Sequence, residues 1–117
     1  MTASVLVVDD NRSLAENLAE ILEDHGYHAA VASNGSEALA LADRFGFDAA
    51  LIDLRMPGMD GLTLAAKLQE DAPTADYYFM SAHCDRAHEQ RAGEFSREPI
   101  FDKPIDLDKL LRLIRSR

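Results

Sequence analysis

The stretch VLVVDDN, residues 5–11, decides the fold. A strand with one wet face alternates apolar and polar side chains. A run that is apolar throughout reads as a strand covered on both faces, the usual state in a parallel sheet. A second such run, residues 49–52, ends in Asp53. Both buried strands thus deliver carboxylates at their ends, where neighbouring negative charges repel.

Working outward, strand-like runs at 4–8, 28–32, 48–53, 76–80 and 100–102 alternate with helix-like ones. Leu14, Leu18, Ile21 and Leu22 follow helical spacing, and Gly26 stands where a helix end favours a left-handed residue. Asn34 with Glu37 reads as a cap and its reciprocal partner, ahead of Ala38, Leu41 and Phe45. Asp60 and Asp106 are positioned to cap the helices carrying Leu64–Leu68 and Leu107–Ile114 apolar stripes. The segment from residue 85 to about 95 offers only Ala87, Ala92 and Phe95, so its helix is expected to be short or mobile.

Strict alternation predicts an α/β fold with right-handed crossovers. Five βα units fit the flavodoxin-like doubly wound (βα)5 sandwich with parallel sheet order 2-1-3-4-5, as a single domain over residues 1–117. There are no internal repeats, low-complexity segments or linkers.

Bulk composition narrows the function. The chain is 47% hydrophobic and 28% charged, ordinary for a globular protein. No apolar run approaches the roughly 20 residues of a membrane span, nor a signal peptide. The single cysteine, Cys84, forms no internal disulfide. These features predict a cytoplasmic chain. Its net charge of −9 repels phosphate backbones, so direct nucleic-acid binding is not expected.

In the order 2-1-3-4-5, ligands bind beyond the carboxyl ends of strands one and three. Asp9, Asp10 and Asp53 converge there. Three carboxylates tolerate each other when a cation binds them, and all-oxygen ligation favours Mg²⁺. The loop LRMPGMDG, residues 54–61, follows directly and can add backbone carbonyls. Strand four ends in Ser81-Ala82, and strand five in Asp102-Lys103-Pro104. Lys103, the Ser81 hydroxyl and the Ala82 N–H, together with the cation, suit a phosphoryl group. An aspartate can carry that group as an acyl phosphate. Helix capping is the competing reading of Asp9 and Asp10, a turn hydroxyl that of Ser81, and a structural salt bridge that of Lys103.

Asp9-Asp10, Asp53, MPGMDG at 56–61, Ser81-Ala82 and Lys103-Pro104 together resemble the receiver domain of two-component response regulators, over essentially the whole chain. The resemblance implies that Asp53 accepts phosphate from a histidine kinase or a histidine phosphotransfer protein. It implies Asp10, Asp53 and the Met56 carbonyl as direct Mg²⁺ ligands, with Asp9 acting mainly through water. Ser81 would bond the phosphoryl oxygen and move, Lys103 would pair with phosphate, and Pro104 would follow a cis bond. Such a module catalyses only its own phosphorylation and dephosphorylation, and switches a fused or separate output domain. A phosphorylation-dependent dimer and the full length of the protein stay open.

Departures from the pattern are specific. Ile100 stands where the family commonly has an aromatic switch residue, and Phe101 follows it. Strand four reads DYYFMS, and Tyr77 and Tyr78 each need a hydroxyl partner if covered. Arg55 and His83, each two residues past a site residue, are expected to overhang the phosphoryl group; the bland reading of Arg55 is a solvated loop residue. Three other functions compete. An aspartate-nucleophile phosphatase typically needs an acid where Arg55 stands. A flavodoxin-type cofactor binder needs a glycine- and hydroxyl-rich first loop, whereas DDNRS is acidic. A degenerate receiver would act only as a phosphorylation-independent binding module.

Overall fold

A computed structural model describes residues 3–82 and 90–115. Within them the order is β1 (Ser4–Val8), α1 (Arg12–Asp24), β2 (His28–Ala32), α2 (Gly35–Arg44), β3 (Ala49–Asp53), α3 (Gly61–Asp71), β4 (Asp76–Ser81), β5 (Phe101–Asp102) and α4 (Leu107–Arg115). The five strands are parallel and lie in the order β2-β1-β3-β4-β5, as the alternation predicts.

The period-two rule explains the four consecutive apolar residues of β1 and of β3, since alternate side chains face opposite sides and both sides are covered. Leu6, Val8, Ala50 and Ile52 face one side, where Leu62, Leu64, Ala65 and Leu68 of α3 and Ala38 of α2 close over them. Val5, Val7, Ala49 and Leu51 face the other side, under Ala15, Leu18 and Leu22 of α1 and Leu110, Leu111 and Ile114 of α4. Burying each of these large aliphatics contributes about 1.5–3 kcal/mol, which is why the sheet needs helices on both faces.

The same parity separates the two tyrosines. Tyr77 joins the α2–α3 side, and its hydroxyl donates to the Ala72 carbonyl at 2.9 Å. Tyr78 joins the α1–α4 side, edge-on to Phe101 with ring centroids 6.4 Å apart. Both lie within the sheet's cover rather than at a bare edge.

The caps are local. Asn11, not Asp9 or Asp10, caps α1, its side chain accepting from the Leu14 N–H at 3.2 Å. Asn34 accepts from the Glu37 N–H at 2.8 Å. Glu37 reaches back one residue further than a capping box requires, accepting from the Ser33 N–H at 3.2 Å. Asp60 and Asp106 cap α3 and α4 through Thr63 and Lys109.

Strand β5 is shorter than its expected span of 100–102. Ile100 follows Pro99 and packs half-buried on the α2–α3 side, leaving only Phe101 and Asp102 in the ladder. Strand β4 runs one residue further than expected, through Ser81. The first part of the weak helix expected from residue 85, residues 85–89, lies outside the described residues together with His83 and Cys84. Its end is visible: Ala92 is buried, and its carbonyl accepts from the Phe95 and Ser96 N–H groups. Among the described residues no helix is long and apolar enough to cross a membrane.

Candidate functional site

Parallel strands place all their carboxyl ends along one edge of the sheet, and β1 and β3 are neighbours at its switch point. Val8 pairs with Ile52, so the next residues, Asp9 and Asp53, emerge side by side. The register of β4 with β5 sets Ser81 beside Asp102, and the Lys103 N–H donates to the Ser81 carbonyl at 3.0 Å. Lys103 is thereby fixed at the same edge. The Lys103–Pro104 bond is cis.

The side chains converge. Carboxylate oxygens of Asp9, Asp10 and Asp53 lie within 4.8 Å of one another. Asp9 and Ser81 are fully buried, Asp53 is 3% exposed, and Asp10 is open to solvent. Asp9 Oδ1 accepts from the Asn11 N–H at 2.9 Å, and Asp53 Oδ1 from the Arg55 N–H at 3.2 Å. Lys103 Nζ stands 2.8 Å from Asp9 Oδ2 and 3.3 Å from Asp53 Oδ2, an ammonium shared between two carboxylates. The structural salt bridge weighed for Lys103 is therefore present, and it joins the lysine to the carboxylates of the site.

Electrostatics follow from burial. Asp53 is pushed up to about 6, first by burial and then by the Asp9 charge; the Arg55 N–H and Lys103 only partly offset this. For Lys103, burial alone would favour the neutral amine, but its pairing with Asp9 and Asp53 outweighs that and raises its pKa. Three carboxylates and one ammonium leave two negative charges at the cluster. Asp9 Oδ2 is buried, and the Lys103 ammonium 2.8 Å away is the charge that faces it. A hard divalent cation matches both the charge and the all-oxygen donor set.

The remaining predicted residues fall around this centre. Ala82 is exposed just beyond β4, and Arg55 is exposed beside Asp53. Met56 buries its side chain among the α2–α3 core residues, which anchors the loop carrying its carbonyl. The residues gave no sign that Arg12 would brace the rim. Its guanidinium bridges Ser33 Oγ at 2.8 Å and Glu37 at 3.3 Å, tying the start of α1 to the start of α2. That pairing joins residues more than twenty apart, so no local spacing rule finds it.

Many known proteins are similar to this chain. A family model described as the response regulator receiver domain matches residues 5–115. A response regulator receiver protein of Anaeromyxobacter sp. (strain Fw109-5) is 44% identical over 108 residues, covering 92% of this chain and 45% of that protein. The chain spans about half the length of the curated relatives it matches. The crystal structure of a receiver domain protein from Methanospirillum hungatei superposes with a TM-score of 0.91 at 24% identity, covering 99% of this chain and 93% of that one. A response regulator from Burkholderia pseudomallei, solved with a phosphorylated aspartic acid, calcium ion and citrate, gives 0.86 at 31% identity, covering 93% and 64%.

Proposed function

This chain belongs to the response regulator receiver domain family, and from that premise we propose that Asp53 takes a phosphoryl group from the phosphohistidine of a histidine kinase or phosphotransfer protein. The observation that carries the proposal is the buried Asp53 carboxylate beside Asp9 at the switch point of the sheet, with the Lys103 ammonium shared between the two.

In the proposed reaction an Asp53 oxygen attacks phosphorus as the P–N bond to histidine breaks. The product is an acyl phosphate, and the histidine nitrogen leaves with its electron pair. Asp10, Asp53 and the Met56 carbonyl would hold Mg²⁺ directly, with Asp9 through water. Bound there, the ion supplies charge neutralisation for the carboxylates and the phosphoryl oxygens. Lys103, already paired with Asp53, is placed to exchange carboxylate for phosphate oxygen. The buried Ser81 hydroxyl and the Ala82 N–H stand at the end of the neighbouring strand β4 and would donate to the remaining oxygens. The Burkholderia pseudomallei relative, with its phosphorylated aspartate and divalent cation, supports this assignment. Output would be a population shift in the surface around β5 and α4, read by a fused or separate domain.

Acetyl phosphate with Mg²⁺ tests this without a kinase. Intact mass should rise by one phosphate, and the gain should vanish in Asp53→Asn or with chelator. No gain in the wild-type chain would leave a binding module, a reading for which nothing in the site speaks.

A further inference from the structure

The loop between β3 and α3, residues 54–60, carries Met56 and the Arg55 N–H that donates to Asp53. Its two ends are pinned. The Gly61 N–H donates to the Leu54 carbonyl at 3.1 Å, and a Cβ on Gly61 would run into the Asp53 carbonyl oxygen. Asp60 is committed to capping α3.

The middle of the loop is held from a different direction. Met59 lies over Gly35, the first residue of α2. A Cβ on Gly35 would stand 2.7 Å from Met59 Sδ, 3.0 Å from Met59 Cβ and 3.2 Å from Met59 Cε. Sulfur and Cε can rotate away, but the Met59 Cβ moves only with the loop backbone. Among the described residues positive φ occurs at Gly26 and Gly58, so the backbone at Gly35 does not require glycine. The start of α2 is in turn tied to α1 through Arg12, Ser33 and Glu37.

We propose that Gly35 is a positioning residue: it leaves the hollow in which Met59 seats the β3–α3 loop against α2, and so holds Arg55 and Met56 in place around Asp53. Its consequence for metal binding rests on the reading of the site given above; its consequence for the loop does not.

The test compares wild type, Gly35→Ala, Met59→Ala and the double variant, with Ser36→Ala on the exposed side of the same turn as the control. Three quantities are read: the denaturation midpoint, amide hydrogen exchange of residues 55, 56, 58 and 59 in metal-free protein, and Mg²⁺ affinity by titration. Gly35→Ala should speed the loop amides about fivefold and weaken Mg²⁺ about tenfold, as loss of an outer support does, while Ser36→Ala changes neither. The double variant should be no worse than the poorer single one, because both changes break one contact. Wild-type exchange and affinity in Gly35→Ala, or a double variant equal to the sum of the singles, overturns the proposal. If Gly35→Ala does not fold, Met59→Ala decides alone, and unchanged loop exchange there overturns it. A wild-type chain that takes no Mg²⁺ would sink the site reading, while metal-free exchange still decides the role of Gly35.

Discussion

A buried carboxyl next to another carboxylate resists ionisation, and Asp53 is pushed from 3.8 up to about 6 for that reason. The folded chain thus holds this proton more tightly than the unfolded chain does. The contribution of this group to stability is full below about pH 4, falls as pH rises to about 6, and stays low above that. Asp53→Asn lacks the penalty. In metal-free buffer its stability advantage over wild type should grow from pH 4 to 6 and then level off, reaching about 3 kcal/mol at most, at about 1.4 kcal/mol per pKa unit. Urea denaturation at several pH values measures it, and a pH-independent difference would contradict the burial argument. Arg55 is exposed two residues on, and on the proposed phosphorylation of Asp53 its guanidinium would screen the acyl phosphate from water. Arg55→Ala should shorten the phosphorylated lifetime about fivefold, the effect of one contact worth about 1 kcal/mol. An unchanged lifetime means the side chain only faces solvent. The convergence of Asp9, Asp10 and Asp53 was legible because each directly ends or follows a buried strand. The choice of Asn11 over Asp10 as helix cap was not, since both residue types cap equally well and tertiary geometry selects between them.

At the scale of elements, unbroken apolar runs named the central strands, and strand parity disposes of the two tyrosines. What sequence left open was Tyr77's partner, because the Ala72 carbonyl lies on the connection before β4 and no pattern rule reaches it. Tyr77→Phe should cost about 1–2 kcal/mol by leaving that interaction unmade; an unchanged midpoint in denaturant would show that water replaces the hydroxyl. Strand β5 was legible only in outline. A two-residue strand has no periodicity to read, and the assignment of Phe101 to the α1–α4 side depends on its register with Met80. There it meets Tyr78 edge-on, and the Lys109 ammonium lies 5.4 Å from the ring centroid. Phe101→Ala should therefore cost about 3–5 kcal/mol, and Ile100→Ala, half-buried on the opposite side, clearly less. Equal losses from thermal melts would contradict the register.

For the whole molecule, topology turns local chemistry into a site. The order β2-β1-β3-β4-β5 makes β1 and β3 neighbours, and the β4–β5 pairing carries Lys103 to the same edge. Residues as far apart in sequence as Asp9 and Lys103 then meet at 2.8 Å. The alternation of strands and helices predicted this order because right-handed crossovers admit few others. Long-range braces such as Arg12 with Glu37 and Met59 with Gly35 escaped it, since they depend on how the helices seat on the sheet. The most direct measurement of the central claim locates the phosphoryl group itself. After treatment with acetyl phosphate and Mg²⁺, borohydride reduction converts an aspartyl phosphate to homoserine, and peptide mass spectrometry reads the position. Homoserine at position 53 alone is the expected result. Homoserine at another aspartate, or none in a chain that has gained phosphate, would contradict the assignment of Asp53.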